Sequence, residues 1–478
     1  MTHAPSATPL AESFAPADRA AWLVLVDKTL KGADLETLTS HAAGLEILPL
    51  YSGVANQTDF APAPRGGDQS WDVRTLVSHP APAQAHDALA ADLAGGAASA
   101  LVRIDPTGEA GVAIGSAEAL AGVLDGVLLD IAPIALDAGY LGVRAADWLG
   151  AAAKASPAAP LALHLDPLSA LALTGGSPGP IESHVIAAAN VAARLAPTYP
   201  RASLFLASGR VAHEAGAAPA TELAFALASA LAYAKALVRA GLTMERALGA
   251  IVLGLAVDAD PLISIAKLRA ARRLWARLTA ACGEPRVAII EARSSARMIT
   301  GADPWTNLVR LTAAGFAGAV GGADALVLGA FTDALGRPTA FARRMARNTQ
   351  LILMEEAHVG AVADPAAGAG AFEALSDDLA RAAWTQFNEI EAAGGIVTAL
   401  REGLIARTVA ADRKALGAAI FDRTIKIVGV TDFRRDEARA AQTDNTPRVG
   451  VEAPDPRLPG PDSHCPALAP LTIESLAA

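Results

Sequence analysis

The chain has 478 residues, a net charge of −10 and 52% hydrophobic residues, with a mean hydropathy of +0.33. No stretch supplies the roughly 20 uninterrupted apolar residues of a spanning helix, and no basic run offers a surface for nucleic acid or anionic membrane. The cysteines, Cys282 and Cys465, are not spaced as a metal pair and suit a reducing compartment. The first residues lack the basic-then-apolar order of a signal peptide, so the expected location is the cytoplasm.

Residues 1–45 read as a Pro/Ala-rich arm for partner contact, with a helical pattern over 17–30. A short apolar run at 47–51 and a polar Gly/Pro stretch to Gln69 follow. From Trp71 on, short runs rich in Leu, Ile and Val alternate with alanine-rich helical patterns. The runs lie at 100–104, 126–131, 160–165, 203–207, 251–256, 287–291, 318–328 and 359–363. The intervening helices carry apolar stripes, such as Leu223, Leu227 and Leu231, or Leu268, Ala271, Trp275 and Leu278. Eight such units predict an α/β fold, a (β/α)8 TIM barrel over 46–431, although doubly wound sheets alternate in the same way. Residues 432–478 turn to Pro, Asp, Arg and Ala and read as an irregular tail, partly disordered or draped over a neighbour.

Generic catalytic signals fail. His213-Glu214 opens like HExxH, but Ala217 stands where the second histidine belongs. Gly368-Ala-Gly370 has Glu373 in place of the third glycine, which leaves a tight turn. Glu355 and Glu356 are adjacent, so on a helix they diverge and suit capping, salt bridging or solvation better than acid/base work. There is no P-loop and no metal-ligand spacing.

Longer wording is more specific. SGRVAHEAGA (208–217), TELAFALA (221–228), SIAKLRAARRLWARL (264–278), DPWTN (303–307), MARNTQLIL (345–353) and IVGV (427–430) occur in one order. Together they resemble the coenzyme-A-binding barrel of the methylmalonyl-CoA mutase family. The resemblance implies a barrel whose catalytic members hold an acyl-CoA at the C-terminal strand ends beneath adenosylcobalamin. It also implies that the polar groups of that mouth are lost here. Leu76 stands for the family's tyrosine after W-T-I-R, and Arg210 and Val211 for the Tyr-His pair of SGYH. Val327 stands for a strand-end histidine, and Met354 for the glutamine of LILQEE. Leu and Val cannot donate a hydrogen bond to a thioester carbonyl. His213, two positions along, reads as a capping or surface histidine. The cobalt-binding D-x-H-x-x-G signature has only Asp462-Ser-His464 as a near match, with Ala467 at the glycine.

Some members of the family pair a catalytic large chain with a smaller degenerate one, and this sequence resembles the latter. The resemblance implies no catalytic, metal or cofactor residue in this chain. Adenosylcobalamin would be bound by the large catalytic mutase subunit of a heterodimer. The alternatives are a catalytic barrel served by a separate cobalamin-binding polypeptide, and an acyl-CoA-binding module.

Overall fold

A computed structural model describes residues 18–51, 70–435 and 439–477. Residues 1–17 of the expected arm and the polar stretch 52–69 lie outside the described residues. Eight parallel strands close into a barrel: β1 (Asp72–Val77), β2 (Ser99–Arg103), β3 (Ile134–Asp137), β4 (Ala162–Leu165), β5 (Ser203–Ser208), β6 (Ile251–Val257), β7 (Ile289–Ser294) and β8 (Ala325–Val327). Each pairs with its neighbours in sequence, and β8 returns to β1. This is the (β/α)8 barrel that the alternation predicts.

Two of the expected runs are not strands. Residues 126–131 form a turn, because Gly126 at φ 72° ends the segment after helix Ala117–Val123. Leu128 and Ile131 are left exposed, and the strand starts only at Ile134, where burial is complete. Residues 359–363 lie in turns after a π-helical segment, Ile352–Glu356. Within 318–328, the first residues end helix Asn307–Val320, and only Ala325–Val327 pair as strand. The remaining strand is β1, where Asp72 and Arg74 face inward and break any apolar run.

The helical stripes face the core. Helix Pro219–Arg239 buries Leu223 and Leu227, and Pro261–Ala281 buries Leu268, Ala271, Trp275 and Leu278. Both carry Pro in the first turn, and Asp260 caps the second by accepting from the Ile263 amide at 3.2 Å. Pro219–Arg239 is long and apolar enough to cross a membrane, but 72% of its apolar window is buried inside the fold. It also carries Glu222 in its first turn.

Two peripheral segments differ in how they are held. Helix Arg19–Leu30, begun by the Asp18 cap, has no buried residue although it reads AAWLVLV through its middle. The tail, expected to be partly disordered or to lie on a neighbour, packs on its own barrel at several points. Ser463 and His464 pair antiparallel with Ser177 and Gly176, Leu468 and Leu471 are buried, and Glu474 accepts from the amides of Gly301 and Ala302.

Candidate functional site

Side chains alternate across a strand, so each barrel strand sends one set inward. On β1 these are Asp72, Arg74 and Leu76; on β2 Ser99, Leu101 and Arg103; on β7 Glu291 and Arg293. Their alternates Val73, Val77, Ala100, Val102, Ile290 and Ala292 join the main apolar core between strands and helices. Inside, the charges form one chain across the axis. Arg74 reaches Asp72 at 2.6 Å and Glu291 at 2.5 Å, and Arg293 reaches Glu291 at 2.7 Å and Asp137 at 3.1 Å. Arg103 closes the line on Asp137 at 3.1 Å. Ser99 stitches the base, donating to Asp72 and accepting from Arg74.

The electrostatics follow from this alternation of sign. Burial alone would raise the Glu291 carboxyl, but Arg293, His164 and Arg74 hold it well below the usual carboxylate range. Burial works against Arg293 in the same way, and Glu291 and Asp137 more than reverse it. His164 is pushed down to about 4, first by burial and then by Arg74 and Arg293, with Glu291 opposing. The imidazole is therefore neutral at pH 7, at a backbone φ of 46° on β4.

Above this line a cavity of about 440 Å³ opens at the C-terminal strand ends. Leu76, Arg210 and Val327 all line it. Leu76 and Val327 also belong to a small apolar plug with Leu101, Ala135 and Ala162. The other two positions singled out in the sequence lie elsewhere: Val211 packs on the main core and Met354 is buried within it. Arg210 begins the short helix Arg210–Glu214 directly after β5. Gly209 makes that turn, and a Cβ there would sit 2.2 Å from the Glu222 carbonyl oxygen.

His213 is not a capping or surface residue. It is 1% exposed, with Nε2 2.8 Å from the Ser295 hydroxyl and Nδ1 3.2 Å from Glu222. The distances are those of a Ser-His-Glu triad, but Ser295 is fully buried and Glu222 is already bound by Lys267 at 2.6 Å and by the Ala256 amide. Ser295 borders the mouth cavity but exposes no surface of its own, and the buried pairing of Glu222 with Lys267 ties three segments together at this point. Burial and Arg297 push the His213 imidazole down, with Glu222 opposing.

The histidines near the mouth do not fit a cobalt ligand either. His79 is held between Asp444 at 3.1 Å and the Ala81 amide, His213 is committed as above, and His164 lies inside the barrel with a 1% exposed side chain. His464, in the near match to the cobalt-binding signature, sits in the two-stranded pairing of the tail. Among the described residues no group of three or more His, Cys, Asp or Glu side chains could hold a metal ion.

The sequence model of the family described as methylmalonyl-CoA mutase matches residues 69–452. The chain belongs to this family. It is 37% identical to the methylmalonyl-CoA mutase small subunit of Streptomyces virginiae over 92% of its own length and 75% of that protein. The methylmalonyl-CoA mutase small subunit of Propionibacterium freudenreichii subsp. shermanii is 32% identical, over 92% of this chain and 72% of that one. A probable methylmalonyl-CoA mutase small subunit of Mycobacterium bovis is 37% identical over 83% of this chain and 66% of its own length.

Within this mutase-family barrel, the motif positions mark Leu76, Arg210 and Val327 but not Arg103, Asp137, Glu291 and Arg293. A signal for them existed. Asp72-x-Arg74 and Glu291-x-Arg293 place charges two apart in otherwise apolar strands, which is the spacing of a single strand face.

Proposed function

We propose that this chain is the non-catalytic small subunit of an adenosylcobalamin-dependent methylmalonyl-CoA mutase, the enzyme interconverting methylmalonyl-CoA and succinyl-CoA. Its role is to stabilise the catalytic large chain in a cytoplasmic heterodimer. The observation that carries this reading is the barrel axis. Arg74, Glu291, Arg293 and Asp137 pair with one another across it, and Leu76 and Val327 plug the space above. A thioester chain entering that axis would have to break several buried ion pairs, each strongly destabilising to leave half-made. At Leu76 and Val327 it would then meet aliphatic groups that cannot donate a hydrogen bond to a reacting acyl group.

Helix Arg19–Leu30 supports the partner side of the proposal. Exposed Leu23, Val24 and Leu25 are costly in water and are of the kind that a subunit interface covers. Adenosylcobalamin in this holoenzyme is held by the large chain, since none of the histidines at this mouth is available to cobalt.

The test is to assay the full chain alone and together with a large mutase chain. Adenosylcobalamin-dependent turnover requires the large chain and is absent from this chain alone. Turnover by this chain with adenosylcobalamin, or with only a small cobalamin-binding protein added, would refute the proposal.

A further inference from the structure

Among the described residues, two guanidinium groups lining the mouth, those of Arg210 and Arg343, have no hydrogen-bond partner, and Arg343 has Asp92 as a carboxylate neighbour at 3.8 Å. The guanidinium of Arg210, whose side chain is 18% exposed, has Glu214 as its carboxylate neighbour at 3.5 Å. Both oxygens of that carboxylate already accept from the backbone amides of Ala296 and Arg297. The Arg210 Nε is buried without a partner. Its other charged surroundings include cations: burial and Arg293, then Arg103, push Arg210 down to about 10 against Glu214. It therefore remains charged at neutral pH.

The neighbouring guanidinium groups also hold unused donors. Arg103 spends only its Nε, on Asp137, and Arg293 spends its Nε on Glu291 and one Nη on the same Asp137 oxygen. Arg103 and Arg293 thus share the one Asp137 oxygen, and Arg210 lies near enough to both to be depressed by their charge. The cavity they enter is lined by seven arginines and two carboxylates, Glu109 and Asp333; Arg74, Arg103, Arg293 and Arg347 each also pair with a carboxylate behind the lining. Partly buried guanidinium donors without a protein acceptor favour an anion that supplies one, and planar guanidinium forks match carboxylate and phosphate oxygens.

We propose that the mouth of this barrel binds an oxyanion, a carboxylate or phosphate group, clamped by Arg210 with the free donors of Arg103 and Arg293. The site is made by the arginine that replaces the family's tyrosine, and it stands whether or not the chain is catalytic. A cavity of about 440 Å³ is in the range that holds a small organic acid or phosphate ester rather than a bare ion alone.

Isothermal titration of the full chain with inorganic phosphate, and separately with succinate, at low salt tests this. One or both anions bind at a single site, and Arg210→Gln weakens that binding at least tenfold. Binding of phosphate alone assigns the phosphate class, and binding of succinate alone the carboxylate class. No binding of either to the wild-type chain, or equal binding by a folded Arg210→Gln, would overturn the proposal. If circular dichroism shows that Arg210→Gln does not fold, Arg103→Gln on the partly exposed rim replaces it. Undiminished binding by that variant overturns the proposal equally.

Discussion

On β1, Val73 and Val77 turn outward into the helical shell while Arg74, between them, turns inward to Glu291. On β7 the same division separates Ile290 and Ala292 from Glu291 and Arg293. The outward face is held by burial and dispersion, which are non-directional, so any side chain of similar volume serves. The inward face is held by charges whose value lies wholly in their partners, so each residue specifies the next. Two faces of one strand thus meet different tolerances for change, and the inward one carries the charges on which the proposed non-catalytic role rests.

Adjacent residues allow the sharpest comparison. Glu291→Gln keeps shape but removes the anion shared by Arg74 and Arg293, and breaking a buried pair in this way costs about 3–5 kcal/mol. Its neighbour Ile290, fully buried on the opposite face, loses only one methyl as Ile290→Val, which costs about 0.5–1.5 kcal/mol. Urea denaturation of both variants measures the difference. Equal losses would mean that the axis is wet enough to replace the lost charge with water, and the two faces would no longer differ in kind.

The same division explains which parts of the fold were legible. Strands β2, β4, β5 and β6 read as apolar runs because both faces are apolar along most of their length. β1 did not, since Asp72 and Arg74 interrupt it and only a neighbouring ion-pair network makes those residues acceptable inside. The run at 126–131 misled for the opposite reason: it is apolar but exposed, and composition does not report which side of Gly126 the chain buries. Leu76, Arg210 and Val327 were found because they occupy aligned motif positions. The cluster around His213 was missed because Glu222, Lys267 and Ser295 meet it from three distant segments, a proximity that no local pattern contains.

Acid separates the faces a second way, because only the inward one titrates. His164 has a folded value near 4 against an unfolded value of about 6.5. The unfolded chain therefore binds the extra proton, and stability is lost as pH falls from about 6.5 towards 4. The loss approaches about 3 kcal/mol from this group alone. Glu291 and Asp137, both held low against burial by their arginines, add their own loss below the ordinary carboxylate range. Asp166 and Asp333, pushed up by burial to about 7 and about 6, slope the other way. The reading that isolates His164 is thus the difference between wild type and His164→Asn, asparagine being tolerant of the positive φ. Melting temperatures from pH 7 to pH 4.5 should converge as the wild type weakens; parallel curves would show that the imidazole is not held neutral.

The smallest effect is expected where the same ion-pair chemistry lies outside the barrel. Arg381, 70% exposed on helix Gly370–Ala392, pairs with Asp377 at 3.0 Å and Asp378 at 3.3 Å. In water these attractions are screened and offset by the entropy of ordering a long side chain. Arg381→Ala should cost no more than about 0.5 kcal/mol, and what it costs should vanish in about 0.5 M salt. Glu291→Gln should keep most of its penalty in that salt, because the Glu291 side chain is only 1% exposed. If added salt erased both penalties alike, the charges across the axis would be solvated like those on the surface. A solvated axis would be open to a ligand, and the case against substrate threading would fail with it.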